Sequence, residues 1–110
     1  MKKKLLFICS GNISRSPAAE GLFSDSALYE TKSAGVSPNA ARKISQDLID
    51  WADKIFVMSE KEDGHLSFLR ENFDITGKEI YNLEISNKYQ RDDPELTALL
   101  KARLAQYISG

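Results

Sequence analysis

The chain has 110 residues, 42% hydrophobic and 28% charged, which suits one soluble domain with a single core. Its formal net charge of -1 gives no global attraction to nucleic acid or an anionic membrane, so any anion site must be built locally. The single cysteine excludes an intrachain disulfide and suits a reducing cytoplasm, and the apolar stretch before it is too short for a secretory leader or a membrane span.

Residues 1–4 read as a solvated, lysine-rich lead-in. Leu5-Leu6-Phe7-Ile8 is an apolar run without alternation, as expected of a central strand covered on both faces. A polar loop, Cys9–Ser16, follows. Pro17 fits the first position of a helix running to about Leu28, with Ala19, Leu22, Phe23 and Ala27 at helical spacing. Thr31–Val36 reads as a short second strand, and Ser37-Pro38-Asn39 as a turn. Ser45 is placed to cap a helix to about Ala52, with Leu48, Ile49, Ala52 and Trp51 on its buried side. Lys54–Met58 is a third strand. Ser59-Glu60-Lys61-Glu62 has capping-box spacing and opens a helix to about Phe73, interrupted at Gly64; His65 reads as a surface residue of that helix. Glu79–Leu83 is a fourth strand, and 87–92 is irregular. Asp93-Pro94 then starts a helix with Leu96, Leu99, Leu100, Leu104 and Tyr107 on one stripe. The β-α-β-α-β-α-β-α order predicts one α/β domain over residues 1–110, a parallel sheet between two helical layers. In such folds ligands gather at the carboxyl ends of the strands, where Cys9 and Asp93 both belong.

The loop carries the chemistry. Amides of a tight loop and of the helix that follows can form an anion nest. Gly11 is expected to let the backbone fold closely, and Asn12 to take a left-handed conformation and tie the loop to itself. Arg15 offers a planar fork that matches two phosphate oxygens. The residues expected around a phosphate are therefore Ser10, Gly11, Asn12, Ile13, Ser14 and Arg15, with Asn12 and Ser16 in support. Surroundings of this kind favour the thiolate of a cysteine such as Cys9, and Ser16 is placed to donate a hydrogen bond to it. A thiolate beneath a bound phosphate is set for in-line attack on phosphorus, which needs neither metal nor cofactor.

The segment Cys9-Ser10-Gly11-Asn12-Ile13-Ser14-Arg15-Ser16-Pro17-Ala18-Ala19-Glu20 closely resembles the signature C-x-G-N-x-C-R-S-P-x-A-E of the low-molecular-weight protein tyrosine phosphatases. Ser33-Ala34-Gly35 is similar to the family's second strand, and Asp93-Pro94 to its general-acid loop. The resemblance implies a four-stranded sheet in the order 2-1-3-4, Cys9 as the nucleophile that forms a phosphocysteine, Arg15 as the phosphate clamp and Asp93 as the general acid. Read from the residues alone, Asp93 is also sufficient as a helix N-cap before a proline; the two roles are compatible, with Asp92 the alternative acid.

Three departures from the family pattern stand out. Ser14 occupies a position that often holds a second, protective cysteine. The stretch between Gly35 and Ser45 is short and has no aromatic residue. Glu95 and Leu96, rather than tyrosines, follow the Asp-Pro. A shallow pocket is expected, which bears on tyrosine specificity. The rival readings are a phosphate- or phosphoprotein-binding module without turnover, an arsenate reductase and a phosphocysteine carrier. The expected partner is a phosphorylated protein or small phosphomonoester, with no nucleic acid, membrane or metal, for a cytoplasmic monomer.

Overall fold

A computed structural model describes residues 2–108; Met1 of the lead-in, Ser109 and Gly110 lie outside the described residues. The elements are β1 (Lys3–Cys9), α1 (Arg15–Gly21), β2 (Tyr29–Gly35), α2 (Gln46–Trp51), β3 (Lys54–Val57), α3 (His65–Asn72), β4 (Glu79–Asn82) and α4 (Pro94–Leu104). The strands form one parallel sheet in the order β2-β1-β3-β4, as the family resemblance implies. Among the described residues, no helix is long and apolar enough to cross a membrane.

β1 lies inside the sheet, and its alternate residues face different layers. Leu5, Phe7 and Cys9 pack with Ala19 of α1 and Leu96, Leu100 and Leu104 of α4. Leu6 and Ile8 pack with Ile49 of α2 and Leu69 of α3. Leu5 through Ile8 are all fully buried, each worth about 1.5–3 kcal/mol of apolar burial. Burial on both faces explains the run without alternation. It also anchors Cys9 at the carboxyl end of a rigid strand. Trp51 is half-buried against the second cluster, with Nζ of Lys32 4.6 Å from its ring.

Two helices differ from the sequence reading. α1 begins at Arg15 with Ser14 as N-cap, so Pro17 is its third residue rather than its first. It ends at Gly21 instead of near Leu28, because glycine costs about 1 kcal/mol relative to alanine in a helix and the next residues close into tighter turns. The capping turn at Ser59 does form, with the Glu62 N–H donating to Ser59 Oγ at 3.0 Å. It does not open the helix. Gly64 adopts a left-handed φ of 64°, which breaks the turn, and α3 starts afresh at His65. β3 and β4 each end one residue earlier than expected.

Candidate active site

The loop after β1 is shaped from below. The carbonyls of Cys9, Ser10 and Gly11 accept hydrogen bonds from the N–H groups of Val36 (3.0 Å), Ser37 (2.9 Å) and Ala41 (3.0 Å). The short segment after β2 is thus the floor of the loop. Gly35 makes the close approach possible: a Cβ there would lie 2.4 Å from the Ser10 oxygen and 2.9 Å from the Asn12 nitrogen. The expectation that Gly11 serves this purpose is corrected, since a Cβ at Gly11 would meet only the Ile13 side chain, at 3.4 Å. Asn12 takes the expected left-handed conformation, with φ of 56°. With the carbonyls turned toward the floor, the amides of Gly11 through Ser16 donate to no acceptor among the described residues. Ser14 makes no side-chain cap to α1. Backbone N–H groups seek partners, and a loop of such amides suits an anion.

Side chains fix the direction of each hydrogen bond around the sulfur. Asn12 Nδ2 donates to Ser16 Oγ and to Ser33 Oγ, both at 2.9 Å. The Ser33 hydroxyl donates in turn to Oε1 of Glu20 at 2.5 Å. Ser16 Oγ therefore accepts from Asn12 and keeps its own proton to give. The Cys9 sulfur is 2.9 Å away and the Ala34 carbonyl 3.4 Å, so the nearer acceptor is sulfur. Cys9 is only 2% exposed. Neither Ser33 nor Glu20 was among the expected site residues. Glu20 does lie four residues after Ser16, on the same side of α1, and that spacing was a usable signal.

Arg15 is buried, and both of its hydrogen bonds run through Nη1: to Oδ2 of Asp63 at 2.8 Å and to the Ile85 carbonyl at 2.8 Å. Its Nε and Nη2 have no acceptor among the described residues, so one edge of the fork remains for an anion. A buried guanidinium needs a compensating charge, and Asp63 supplies it.

His65 is fully buried, correcting its reading as a surface residue. The left-handed turn at Gly64 directs it inward. Nδ1 accepts from the Ser59 N–H at 3.0 Å, so the neutral ring carries its proton on Nε2 and donates to Ser10 Oγ at 3.0 Å. Burial, and then the positive charge of Arg15, push its pKa down from 6.5 to about 4. The unfolded imidazole binds a proton near its ordinary value, while the folded one resists until about pH 4. Stability is therefore full above the unfolded value and falls as pH drops toward the folded one. A loss of about 2 kcal/mol between pH 7 and pH 5 is expected from this group. Urea unfolding at the two pH values checks it, and His65→Gln, which retains a donor, should remove most of the difference.

Asp93 caps α4 as expected: Oδ1 accepts from the Glu95 N–H at 2.9 Å, and Pro94 opens the helix. Its carboxylate hydrogen-bonds within its own helix start and to none of the loop residues. Beside the loop runs a groove of about 620 Å³ lined by Ile13, Ser14, Pro17, Ala18, Tyr89 and Asp92, among others. Cys9 is not on its wall; the sulfur sits at the base of the loop. Ile13 stands on the rim, 71% exposed. Tyr89, which precedes the Asp-Pro, supplies an aromatic wall that the sequence reading did not expect. The structure thus joins Cys9, Asn12 and Ser16 by direct hydrogen bonds, and it brings Arg15 to the same loop.

The comparisons agree with this architecture. Residues 4–54 match the family described as low molecular weight phosphotyrosine protein phosphatase. An uncharacterized protein in the rpcF 3′ region of Synechococcus sp. (strain WH8020) is 74% identical over 23 residues, 21% of this chain, and the match spans 35% of that relative's length. The tyrosine phosphatase amsI of Erwinia amylovora superposes with a TM-score of 0.72 at 22% identity, covering 97% of this chain and 91% of its own. The YwlE arginine phosphatase from Geobacillus stearothermophilus gives 0.64 at 22% identity, over 98% and 99% of the two chains. The thioredoxin-dependent arsenate reductase Cg_ArsC1′ of Corynebacterium glutamicum gives 0.68 at 19% identity, over 96% of this chain and 59% of that one. These structures share the fold. The family match adds the segment from β1 through α2, which holds the cysteine loop. Residues 4–54, just under half of the chain, thus match the low molecular weight phosphotyrosine protein phosphatase family over the cysteine loop, and the chain as a whole shares the fold of these phosphatase structures.

Proposed function

We propose that the protein is a cysteine phosphatase that hydrolyses phosphate monoesters, with protein phosphotyrosine as its substrate class, through a phosphocysteine intermediate. One observation carries this reading. A cysteine sulfur with a serine hydroxyl at 2.9 Å lies at the base of a loop whose amides, from Gly11 to Ser16, have no acceptor among the described residues. In the proposed reaction, phosphate oxygens accept from those amides and from Nε and Nη2 of Arg15. The Cys9 thiolate attacks phosphorus in line, and the bond to the leaving oxygen breaks as Asp93 gives that oxygen a proton. Water then attacks the phosphocysteine, loses a proton to Asp93, and frees inorganic phosphate and the thiolate. Asp93 is preferred to the exposed Asp92 because it is partly buried and fixed at the start of α4.

Ile13, Pro17 and Tyr89 support an aromatic ring beyond the phosphate. A fold shared with a phosphatase named for arginine makes a phosphoarginine peptide the proper control. Reduction of arsenate through a disulfide relay is not supported, because Cys9 has no second thiol in the chain. The test is turnover of p-nitrophenyl phosphate and of a phosphotyrosine peptide in EDTA, with mass spectrometry of acid-quenched enzyme. Turnover with a phosphoryl adduct on Cys9 is expected, along with a preference for aryl over small alkyl phosphates. Phosphopeptide binding without turnover at any pH would replace the enzyme with a binding module.

A further inference from the structure

One short stretch outside the loop, the turn before α3 together with the first residue of α3, holds both of the loop's ends. Residues 58–64 connect β3 to α3. Asp63 on that turn accepts from Arg15, at the far end of the loop, and His65, the first residue of α3, donates to Ser10 at the near end. The two side chains lie 3.9 Å apart between Nε2 and Oδ2. The turn is itself fixed by Glu84, which has a left-handed φ of 50°. Oε1 of Glu84 accepts from the Ser59 hydroxyl (3.1 Å) and from the N–H groups of Glu60 (3.2 Å) and Lys61 (3.3 Å).

Resting on the phosphatase reading, we propose that Asp63 is a positioning residue for the reaction. By accepting from Nη1 it turns the Nε–Nη2 edge of Arg15 toward the phosphate. Two acceptors on Nη1, the Asp63 carboxylate and the Ile85 carbonyl, hold the plane of the fork. With Ile85 alone, the guanidinium pivots about one hydrogen bond. Asp63 also balances the buried charge before substrate arrives. Because it occupies the opposite edge of the fork, it need not leave when phosphate binds. Asp63 therefore aids binding rather than competing with it.

The test compares wild type, Asp63→Ala and Asp63→Asn, which keeps an oxygen acceptor. NMR of the Arg15 guanidinium, assigned by its loss in Arg15→Lys, reads the restraint directly. In the wild type and Asp63→Asn its Nη hydrogens should be resolved by slow rotation; in Asp63→Ala they should average. Inorganic phosphate should bind Asp63→Ala about tenfold more weakly, with a similar or larger fall in kcat/KM on p-nitrophenyl phosphate. Asp63→Ser, polar but too short to reach Nη1, carries the same expectation and stands in if the alanine variant does not fold. A guanidinium equally restrained in Asp63→Ala overturns the proposal. So does phosphate binding that is unchanged or tighter, which would make Asp63 a competitor. If the wild type binds phosphate but never turns over ester, the phosphatase reading fails; Asp63 is then judged on the guanidinium signal and phosphate affinity alone.

Discussion

Cys9→Ser abolishes turnover of p-nitrophenyl phosphate while leaving the binding of inorganic phosphate in place. The expected loss is on the order of 10⁴-fold or more, because the reaction is left without its nucleophile. A serine hydroxyl at position 9 is a far weaker acid than a thiol. The hydrogen bond from Ser16, aimed by Asn12 and Ser33, does not ionise it. The parts assigned to phosphate binding do not change: the amides of Gly11 to Ser16 and the free edge of Arg15 lie outside the substitution. Position 9 is almost wholly buried, and serine is close to cysteine in size, so the floor made by Val36, Ser37 and Ala41 has no reason to move. Steady-state turnover and calorimetric titration with phosphate check the two halves. Residual activity within tenfold of wild type would show that Cys9 is not the nucleophile.

Asp93→Asn separates good leaving groups from poor ones. General acid catalysis is worth about 10²–10⁴-fold when the departing oxygen needs a proton, and little when it does not. Phenyl phosphate should slow by a factor in that range, and p-nitrophenyl phosphate by far less. The substitution is well suited to the question because asparagine caps helices about as well as aspartate. The hydrogen bond to the Glu95 N–H can persist, so α4 and the fold's stability should hold. Equal slowing of both substrates would leave Asp93 with only its capping role and pass the question to Asp92 on the groove wall.

The places of those two residues, at the end of β1 and at the start of α4, were legible because their signals are local. Cys9 follows an apolar run and precedes a polar loop; Asp93 sits directly before a proline and a striped helix. The parallel sheet and both helical layers followed from similar local patterns, while the strand order came from the family resemblance alone. What escaped the sequence is contact over distance. Arg15 meets Asp63 across 48 positions, Ser10 meets His65 across 55, and Arg15 meets Ile85 across 70. The Ile85 partner is a backbone carbonyl, which leaves no mark in a side-chain pattern. His65 was misplaced because one left-handed glycine re-aims the chain, and helical periodicity cannot register that. Gly11 was credited with a closeness that belongs to Gly35, since the crowding arises between β2 and the loop after β1.

The Nη1 bond of Arg15 to Ile85 has a consequence for the order in which the loop is fixed during synthesis. Cys9 and Arg15 leave the ribosome early, and the cysteine loop gains Ser16 and the floor from Val36 to Ala41 soon after. Yet the Arg15 fork is not held until the turn after β3 and Ile85 beyond β4 have followed. Contacts of such sequence separation form late, after the intervening loops have closed. A nascent chain that stops short of residue 85 carries the loop and its floor but lacks the Ile85 carbonyl that helps to hold the plane of the Arg15 fork. The fork of Arg15 is thus fixed only with the finished sheet.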